Sequence, residues 1–491
     1  MRFSKLLKNA SIPSFMLRTD PEIGEIVIDS RKAGHNSLFV CMKGAKTDGH
    51  SFASAAYRCG CRAFVVQHLL DLPNDAMQIL VPNTRAALAS LAAAFYGFPA
   101  RKMQLYGVTG TKGKTTIAWL IYRIFEESGI PCGYIGTVGA FWKDHYIKTD
   151  NTTPEPLSLH RILHEMEQDG VTHVALEVSS QALISYRIRT LTFDTCIFTN
   201  LYRDHIGPFE HPDFESYFMA KHSLFTDYPC QRVIINASDP NAERMVEGTK
   251  CPVVRIALNE GGDWQITRIR EICTASDFRV SFELVRNGSS ETLDGPMPGT
   301  YNAMNLASAA VTCLLAGIPV GKSRAILSHT RVPGRMICVP FRPDCRVVID
   351  YAHNGASLEA ALTTLRRLTK NKLLVLFGSV GDRTKERRAD MAHAAQKWAD
   401  MCIISSDNPG NEDPLQIIHE IRDALPDDFP CLTEPDRKKA ILKALELLSP
   451  GDTLLLAGKG HETYQLIGDR MIPFSEEEIV LDLSHRYTGF K

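Results

Sequence analysis

The chain has 491 residues, of which 44% are hydrophobic and 23% charged, and its formal net charge is -1. That length exceeds what one hydrophobic core ordinarily supports and predicts two to four domains, with three as the working division; the composition excludes a disordered chain. The near-neutral balance offers no global basic field for nucleic acid and no acidic tail for a cationic partner.

Thirteen cysteines are scattered singly apart from Cys59 and Cys61. That C-x-C pair has no second pair to complete a zinc site, so the cysteines read as small buried apolar residues in a reducing compartment. Met1 to Lys8 lacks a signal-peptide core, and no apolar run approaches the ~18 residues of a membrane span. A cytoplasmic enzyme, monomeric and free of membrane and nucleic acid, is the expectation.

From residue 1 to about 98, short strand-like runs (Glu25 to Ile28, Ser37 to Met42, Ala63 to Val66, Ile79 to Val81) precede a helix rich in Ala and Leu from about Thr84, closed by Phe98-Pro99. From about 103 to 330 the pattern becomes strand, glycine-rich turn and helix, then buried strands Val171 to Val178, Phe193 to Thr199 and Arg232 to Asn236. After Val332-Pro333-Gly334-Arg335 the alternation restarts, with strands Arg346 to Ile349, Lys372 to Phe377, Met401 to Ser405 and Thr453 to Ala457 separated by helices near 357–369, 388–399 and 435–448. Such alternation predicts two α/β domains, each a parallel sheet covered on both faces. Every apolar strand there ends in a polar or glycine cluster, and open parallel sheets bind ligands at those carboxyl ends. Two such edges facing each other would make a closing cleft.

The most telling cluster is Gly110-Thr111-Lys112-Gly113-Lys114-Thr115-Thr116, led in by Leu105, Gly107 and Val108. Glycines let backbone N–H groups approach an anion, Lys114 adds a positive charge, and Thr115 offers a hydroxyl to a magnesium ion. Ile117, Leu120, Ile121, Ile124 and Phe125 then follow at helical spacing, so the turn sits at a helix N-terminus. The strict P-loop spacing is missing, since position 108 is Val, and an anion-free glycine turn is the competing reading.

Glu177 ends an otherwise apolar strand, where a carboxylate is costly unless it meets a cation. Magnesium is favoured over an arginine partner at the sheet edge. His205, after Asp204 at a neighbouring strand end, is either structural or a second ligand. Lys221 sits in a plausible helix and, from the residues alone, is a surface lysine. Asn151-Thr152-Thr153-Pro154 reads as a polar turn or helix cap, and Gly458-Lys459-Gly460-His461-Glu462 as a turn for an anion or a zwitterion.

Taken together these residues resemble the Mur ligase family, ATP-dependent enzymes that build the peptide stem of the bacterial cell wall, and within it the members that add the third amino acid. The glycine turn departs from the strict Walker spacing in the same way as the family's P-loop. The resemblance also rests on Asp29-Ser30-Arg31, Asn151 to Pro154, Glu177-Val178-Ser179-Ser180, Thr199-Asn200-Leu201 with Asp204-His205, Ala220-Lys221, Tyr301-Asn302 with Asn305, Val332 to Arg335, Asp350 to His353, Gly381-Asp382-Arg383, Asp407-Asn408-Pro409 and Gly458 to Glu462. These motifs are collinear over nearly the whole chain.

The resemblance implies three α/β domains: a UDP-substrate-binding domain at 1–99, a central P-loop ATPase-like parallel-sheet domain at 100–333 and a Rossmann-like amino-acid-binding domain at 334–491. It implies that ATP phosphorylates the carboxylate of a UDP-N-acetylmuramoyl dipeptide and that the amine of a free diamino acid displaces phosphate. By resemblance, Gly110 to Thr116 with Asn302, Arg335 and Asp350 bind ATP, and Thr115, Glu177, His205 and a carbamylated Lys221 hold Mg2+. Lys114, His205 and Lys221 would serve catalysis; Ser30, Asn151, Thr152, Thr153, Ser179 and Arg187 would hold the UDP substrate. Arg388, Asp407, Asn408, Gly458 and Glu462 would hold the amino acid.

Departures from the family pattern bear on specificity. Members that add meso-diaminopimelate carry an arginine after the Asp-Asn-Pro turn, where this chain has Gly410, and glycine cannot grip a distal carboxylate. The expected acceptor is therefore L-lysine, with acidic groups such as Glu412 or Asp413 meeting its distal ammonium; meso-diaminopimelate and L-ornithine are the alternatives. Gln181 replaces the family's usual His, Ser185 a frequent Gln, and Ile206-Gly207-Pro208-Phe209 a different segment, which leaves a divergent paralogue open. A nucleotide-dependent switch would leave the C-terminal motifs unexplained, and a nucleic-acid motor lacks a basic stripe.

Overall fold

The computed structural model of the protein describes residues 1–13, 19–44, 47–204, 206–207, 210–274, 277–381 and 385–488. The chain divides into two compact units, one made of residues 1–265 and 307–323 and the other of 266–306 and 324–491.

The first unit opens with a parallel sheet of β1 (Glu25–Val27), β2 (Ser37–Val40), β3 (Ala63–Val66) and β4 (Met77–Leu80), paired in that order. Its helix Thr84–Phe95 begins at Asn83, whose side chain accepts from the Arg85 and Ala86 backbone N–H groups. It ends earlier than the expected Phe98-Pro99 boundary, because the Tyr96-Gly97 turn already leaves the helical path.

The larger sheet of this unit contains β5 (Gln104–Thr109), β6 (Cys132–Gly136), β7 (Gly139–Trp142), β8 (His145–Ile147), β9 (His173–Glu177), β10 (Phe193–Phe198), β11 (Cys230–Asn236) and β12 (Val253–Leu258). They run in the order β12-β11-β10-β5-β9-β6-β7-β8. The run from β12 to β6 is parallel, whereas β7 and β8 are antiparallel and extend one edge, against the wholly parallel expectation. Their short, tight connections allow an antiparallel hairpin where a crossover helix would not fit. Because β5 lies between β9 and β10, the segments after Thr109, Glu177 and Phe198 emerge side by side. Helix Lys114–Glu127 buries Ile117, Leu120, Ile121, Ile124 and Phe125, as its spacing predicts.

Next come β13 (Trp264–Cys273) and the antiparallel hairpin of β14 (Phe278–Arg286) and β15 (Ser289–Gly295), which the sequence reading missed. Alternating burial along β14 marks a sheet with one covered face. The second unit then carries β16 (Ile337–Val339), β17 (Arg346–Asp350), β18 (Leu373–Phe377), β19 (Met401–Ser405), β20 (Cys431–Glu434) and β21 (Thr453–Ala457). They form one sheet in the order β16-β17-β21-β18-β19-β20, parallel except for β16. That order sets the loops after Asp350, Ala457, Phe377 and Ser405 next to one another. A final hairpin pairs β22 (Tyr464–Ile467) with β23 (Arg470–Pro473).

The cysteine expectation holds only in part. Cys41, Cys61, Cys132, Cys196, Cys313, Cys338, Cys345 and Cys402 are buried, but Cys59 and Cys273 are exposed. No helix among the described residues is long and apolar enough to cross a membrane.

Candidate active site

The glycine turn is built on the end of β5. Gly110 has φ +146°, and a Cβ there would lie 1.9 Å from the Thr199 hydroxyl, so both backbone and space demand glycine. Thr199 Oγ1 and Asn200 Nδ2 donate to the Lys112 carbonyl at 2.6 and 3.2 Å, while the Lys112 N–H donates to Asn200 Oδ1 at 2.9 Å. Lys114 curls over the turn, donating to the carbonyls of Gly110 and Thr111 at 2.9 and 3.0 Å. Thr115 and Thr116 are buried in the first helical turn. A curled backbone at a helix N-terminus with a lysine across it is the arrangement that holds a phosphate.

Glu177 is fully buried yet saturated with donors. Its Oε1 accepts from Tyr134 Oη at 2.5 Å and the Thr137 N–H at 2.8 Å; its Oε2 accepts from Thr115 Oγ1 at 2.9 Å and Thr137 Oγ1 at 3.2 Å. The arginine alternative is thereby ruled out as the source of its stability: hydroxyls and a backbone amide hold this carboxylate. Tyr134 and Thr137 were not predicted; the Gly136-Thr137 pair after β6 is the one local signal that could have flagged the second.

Lys221 overturns its surface reading. Helix Phe214–Thr226 turns this side chain inward, leaving it 1% exposed, and its Nζ donates to the Gly110 carbonyl at 2.9 Å. Burial, aided by the neighbouring Lys114 charge and opposed by Asp204, pushes its pKa well below the ordinary lysine value. Lys112 pairs with Asp204 at 3.3 Å. His205 lies outside the described residues, as do Asp382 and Arg383. Among the described residues no three His, Cys, Asp or Glu side chains form a metal cluster. An unpredicted histidine, His211, is buried with Nε2 2.9 Å from Ser180 Oγ.

The residues expected to hold a UDP substrate fall into two groups. Thr152 Oγ1 lies 3.1 Å from Thr137 Oγ1; Thr153 Oγ1 donates to the Glu177 carbonyl at 2.7 Å and accepts from the Ser179 N–H at 3.0 Å. Arg187 donates to the Thr153 carbonyl at 3.0 Å and pairs with Glu155 at 2.7 Å. These side chains adjoin the Glu177 site, with Asn151 exposed beside them. Ser30 sits apart in the short 3-10 helix Ser30–Lys32, capped by Asp29.

In the second unit the expected amino-acid residues converge through charge. Lys459, fully buried, donates to Asn408 Oδ1 at 2.7 Å and Glu462 Oε2 at 2.8 Å, and Asn408 Nδ2 donates to the same Glu462 oxygen at 2.9 Å. Asp407 is 2% exposed; both its oxygens are buried without accepting a hydrogen bond, and Lys459 stands 3.8 Å away. Gly458 donates its N–H to the Asp350 carbonyl at 3.1 Å, joining this edge to the end of β17.

Arg388 is nearly buried between two carboxylates, Glu420 at 2.5 Å and Glu412. Hydrogen bonds from Arg388, then Lys385, hold Glu420 at a pKa of about 2. This corrects the expectation for Glu412 and Asp413: the first is engaged by Arg388, and the second caps helix Pro414–Arg422. Gly410 has φ +57° and bridges Ile467 of the final hairpin, so glycine answers a backbone demand there. Asn302 is also bonded internally, donating to the Pro298 carbonyl at 2.6 Å and accepting from Asn305 at 2.9 Å. Asp350 accepts from the Met336 and Ala352 N–H groups, each at 2.9 Å, and Arg335 lies over the Tyr351 ring.

Residues 22–96 match a family model described as "Mur ligase family, catalytic domain", 108–313 one described as "Mur ligase middle domain", and 334–460 one described as "Mur ligase, glutamate ligase domain". The chain is 35% identical to the UDP-N-acetylmuramoyl-L-alanyl-D-glutamate–2,6-diaminopimelate ligase of Clostridium perfringens over 98% of its own length and 99% of the relative's. It is 38% identical to the ligase of the same name from Geobacillus kaustophilus, over 94% of each chain. A solved structure of a ligase of that name aligns with TM-score 0.69 and 26% identity over 99% of both chains. The MurF ligase of Thermotoga maritima in complex with ADP shares the fold, with TM-score 0.60 and 16% identity over 94% of this chain and 97% of that one.

Proposed function

Because this chain belongs to the Mur ligase family, we propose that it is an ATP-dependent, ADP-forming ligase that joins a diamino acid to the D-glutamate of UDP-N-acetylmuramoyl-L-alanyl-D-glutamate. The observation that carries this reading is the buried Glu177–Thr115 pair beside the Lys114 turn, set on a chain that matches such ligases from end to end. The division at 1–99, 100–333 and 334–491 belongs to the same proposal, and the three matched segments fall within those limits.

The residues fit Mg2+. The Thr115 hydroxyl and the Glu177 carboxylate, 2.9 Å apart, are the hard-oxygen donor set this ion takes. When bound, Mg2+ would neutralise phosphate charge during transfer. Lys114 and the backbone N–H groups of the turn orient the phosphates and stabilise the charge that moves from the γ-phosphoryl to ADP. The D-glutamate carboxylate takes that phosphoryl group and becomes an acyl phosphate; the amine attacks its carbonyl carbon, and the tetrahedral adduct expels inorganic phosphate. Lys221, a buried amine with a depressed pKa, is suited to react with CO2 as the free base, losing a proton and gaining a carbamate anion. Thr153, Ser179 and Arg187 hold the UDP substrate beside Glu177.

For the acceptor, 2,6-diaminopimelate takes first place, since the most similar relatives quoted above are named for it, and L-lysine becomes the second reading. Gly410 favours that second reading, because no guanidinium stands there for a distal carboxylate. The test is phosphate release from ATP, Mg2+ and the UDP dipeptide on adding each amino acid separately. Stimulation by diaminopimelate supports the first acceptor, stimulation by lysine alone the second, and no stimulation by either refutes the reaction.

A further inference from the structure

Lysine is among the costliest residues to bury, and an ammonium removed from water needs compensation close by. Lys459 is fully buried with two hydrogen bonds to acceptors carried on different loops: Asn408, after β19, and Glu462, after β21. Those loops come from strands separated by β18, and their backbone link runs through the final hairpin, where the Gly410 N–H donates to the Leu466 carbonyl at 3.3 Å. Side chains supply the remaining connections. Asn408 Oδ1 also accepts from the Leu466 N–H at 2.9 Å, which ties in the start of the final hairpin.

We propose that Lys459 is a positioning residue for the incoming amino acid: its buried ammonium draws the Asn408 amide and the Glu462 carboxylate into one fixed arrangement and leaves the Asp407 carboxylate free to receive an ammonium group. This rests on the reading that these loops bind the acceptor. The charge balance supports it. Asp407 and Glu462 bring two negative charges against Lys459, the buried Arg437–Glu476 pair beside them balances itself, and Asp407, which accepts no hydrogen bond, is where the excess lies. A buried carboxylate without a donor is complemented by a ligand cation, and the acceptor amino acid carries one.

Steady-state kinetics of Lys459→Met and Lys459→Arg, with the three substrates varied in turn, test the assignment. Displacing such a side-chain constellation predicts an amino-acid KM raised about tenfold or more in Lys459→Met, with the KM values for ATP and the UDP dipeptide within about twofold of the parent. Lys459→Arg should recover part of the loss. Glu462→Gln combined with Lys459→Met should be no worse than the poorer single variant, because both act through one arrangement. If Lys459→Met lacks a cooperative thermal transition, Lys459→Gln, which keeps a donor for Asn408, is held to the same criterion. An unchanged amino-acid KM in a folded variant, or an equal rise in all three KM values, overturns the role of Lys459 alone. A parent enzyme with no amino-acid-dependent phosphate release overturns the underlying reading and this assignment with it.

Discussion

The phosphate edge of the first unit and the amino-acid edge of the second both sit at the carboxyl ends of parallel strands, yet they are built on opposite electrostatic plans. At the first, the buried Glu177 carboxylate takes four hydrogen bonds from hydroxyls and one backbone amide, without a formal counter-charge on it. At the second, formal charges meet in two groups, Lys459 with Glu462 and Asp407, and Arg388 with Glu412 and Glu420. A hydroxyl-held carboxylate beside the lysines of the turn suits a ligand that brings its own large charge together with a metal ion; a lattice of ion pairs suits a zwitterion whose ends must be told apart.

The comparison breaks most sharply at Lys114. Replacing it with Met removes the ammonium that bridges the Gly110 and Thr111 carbonyls and should lower amino-acid-dependent phosphate release by about 10³-fold; a loss under tenfold would mean that the turn supports transfer without it. Next comes Lys221→Ala, expected to cost about 10²-fold in turnover. Partial recovery on adding a small carboxylate such as formate would mark the missing group as a carbamate, whereas recovery with a small amine would mark it as the lysine itself.

On the other edge the expected effects are smaller. Gly410→Arg should shift the kcat/KM ratio of diaminopimelate to lysine upward by about tenfold by supplying a guanidinium for the distal carboxylate. The left-handed φ of +57° at this position sets a strain of about 1–2 kcal/mol against that gain, so thermal stability should fall. An unchanged ratio would place discrimination elsewhere in the pocket. The smallest effect is on acid stability. Arg388 and Lys385 hold Glu420 near a pKa of about 2, below its ordinary 4.5, so its contribution is fully present above pH 4.5 and fades as pH falls toward 2. Glu420→Gln should therefore flatten the pH dependence of unfolding within that window, as read by chemical denaturation at a series of pH values.

The two edges also differed in how well the sequence disclosed them. The glycine turn, Lys114, Thr115 and the following helix were legible because they are contiguous, and helical spacing with a strand lead-in is a local signal. Glu177 was legible as a charge stranded on an apolar strand, but its partners Tyr134 and Thr137 were not, since strand pairing across the sheet brings them there. Lys221 was misread as a surface residue because helix Phe214–Thr226 mixes polar and apolar positions without a clean stripe. The Arg388–Glu412–Glu420 and Lys459–Glu462–Asn408 contacts join residues from separate loops and helices, and periodicity carries no information about such pairing. The antiparallel strands β7, β8, β14 and β15 escaped for a related reason: short alternating runs give a weak signal beside the buried parallel strands.

The most direct test of the central claim is the mass of the UDP-linked product formed from UDP-N-acetylmuramoyl-L-alanyl-D-glutamate, ATP and Mg2+ with equal concentrations of 2,6-diaminopimelate and L-lysine. A product heavier than the dipeptide substrate by one diamino-acid residue is the predicted result, and the residue mass names the acceptor. An unchanged UDP dipeptide, with ATP intact, would contradict the assignment of this chain as the ligase that adds the third residue.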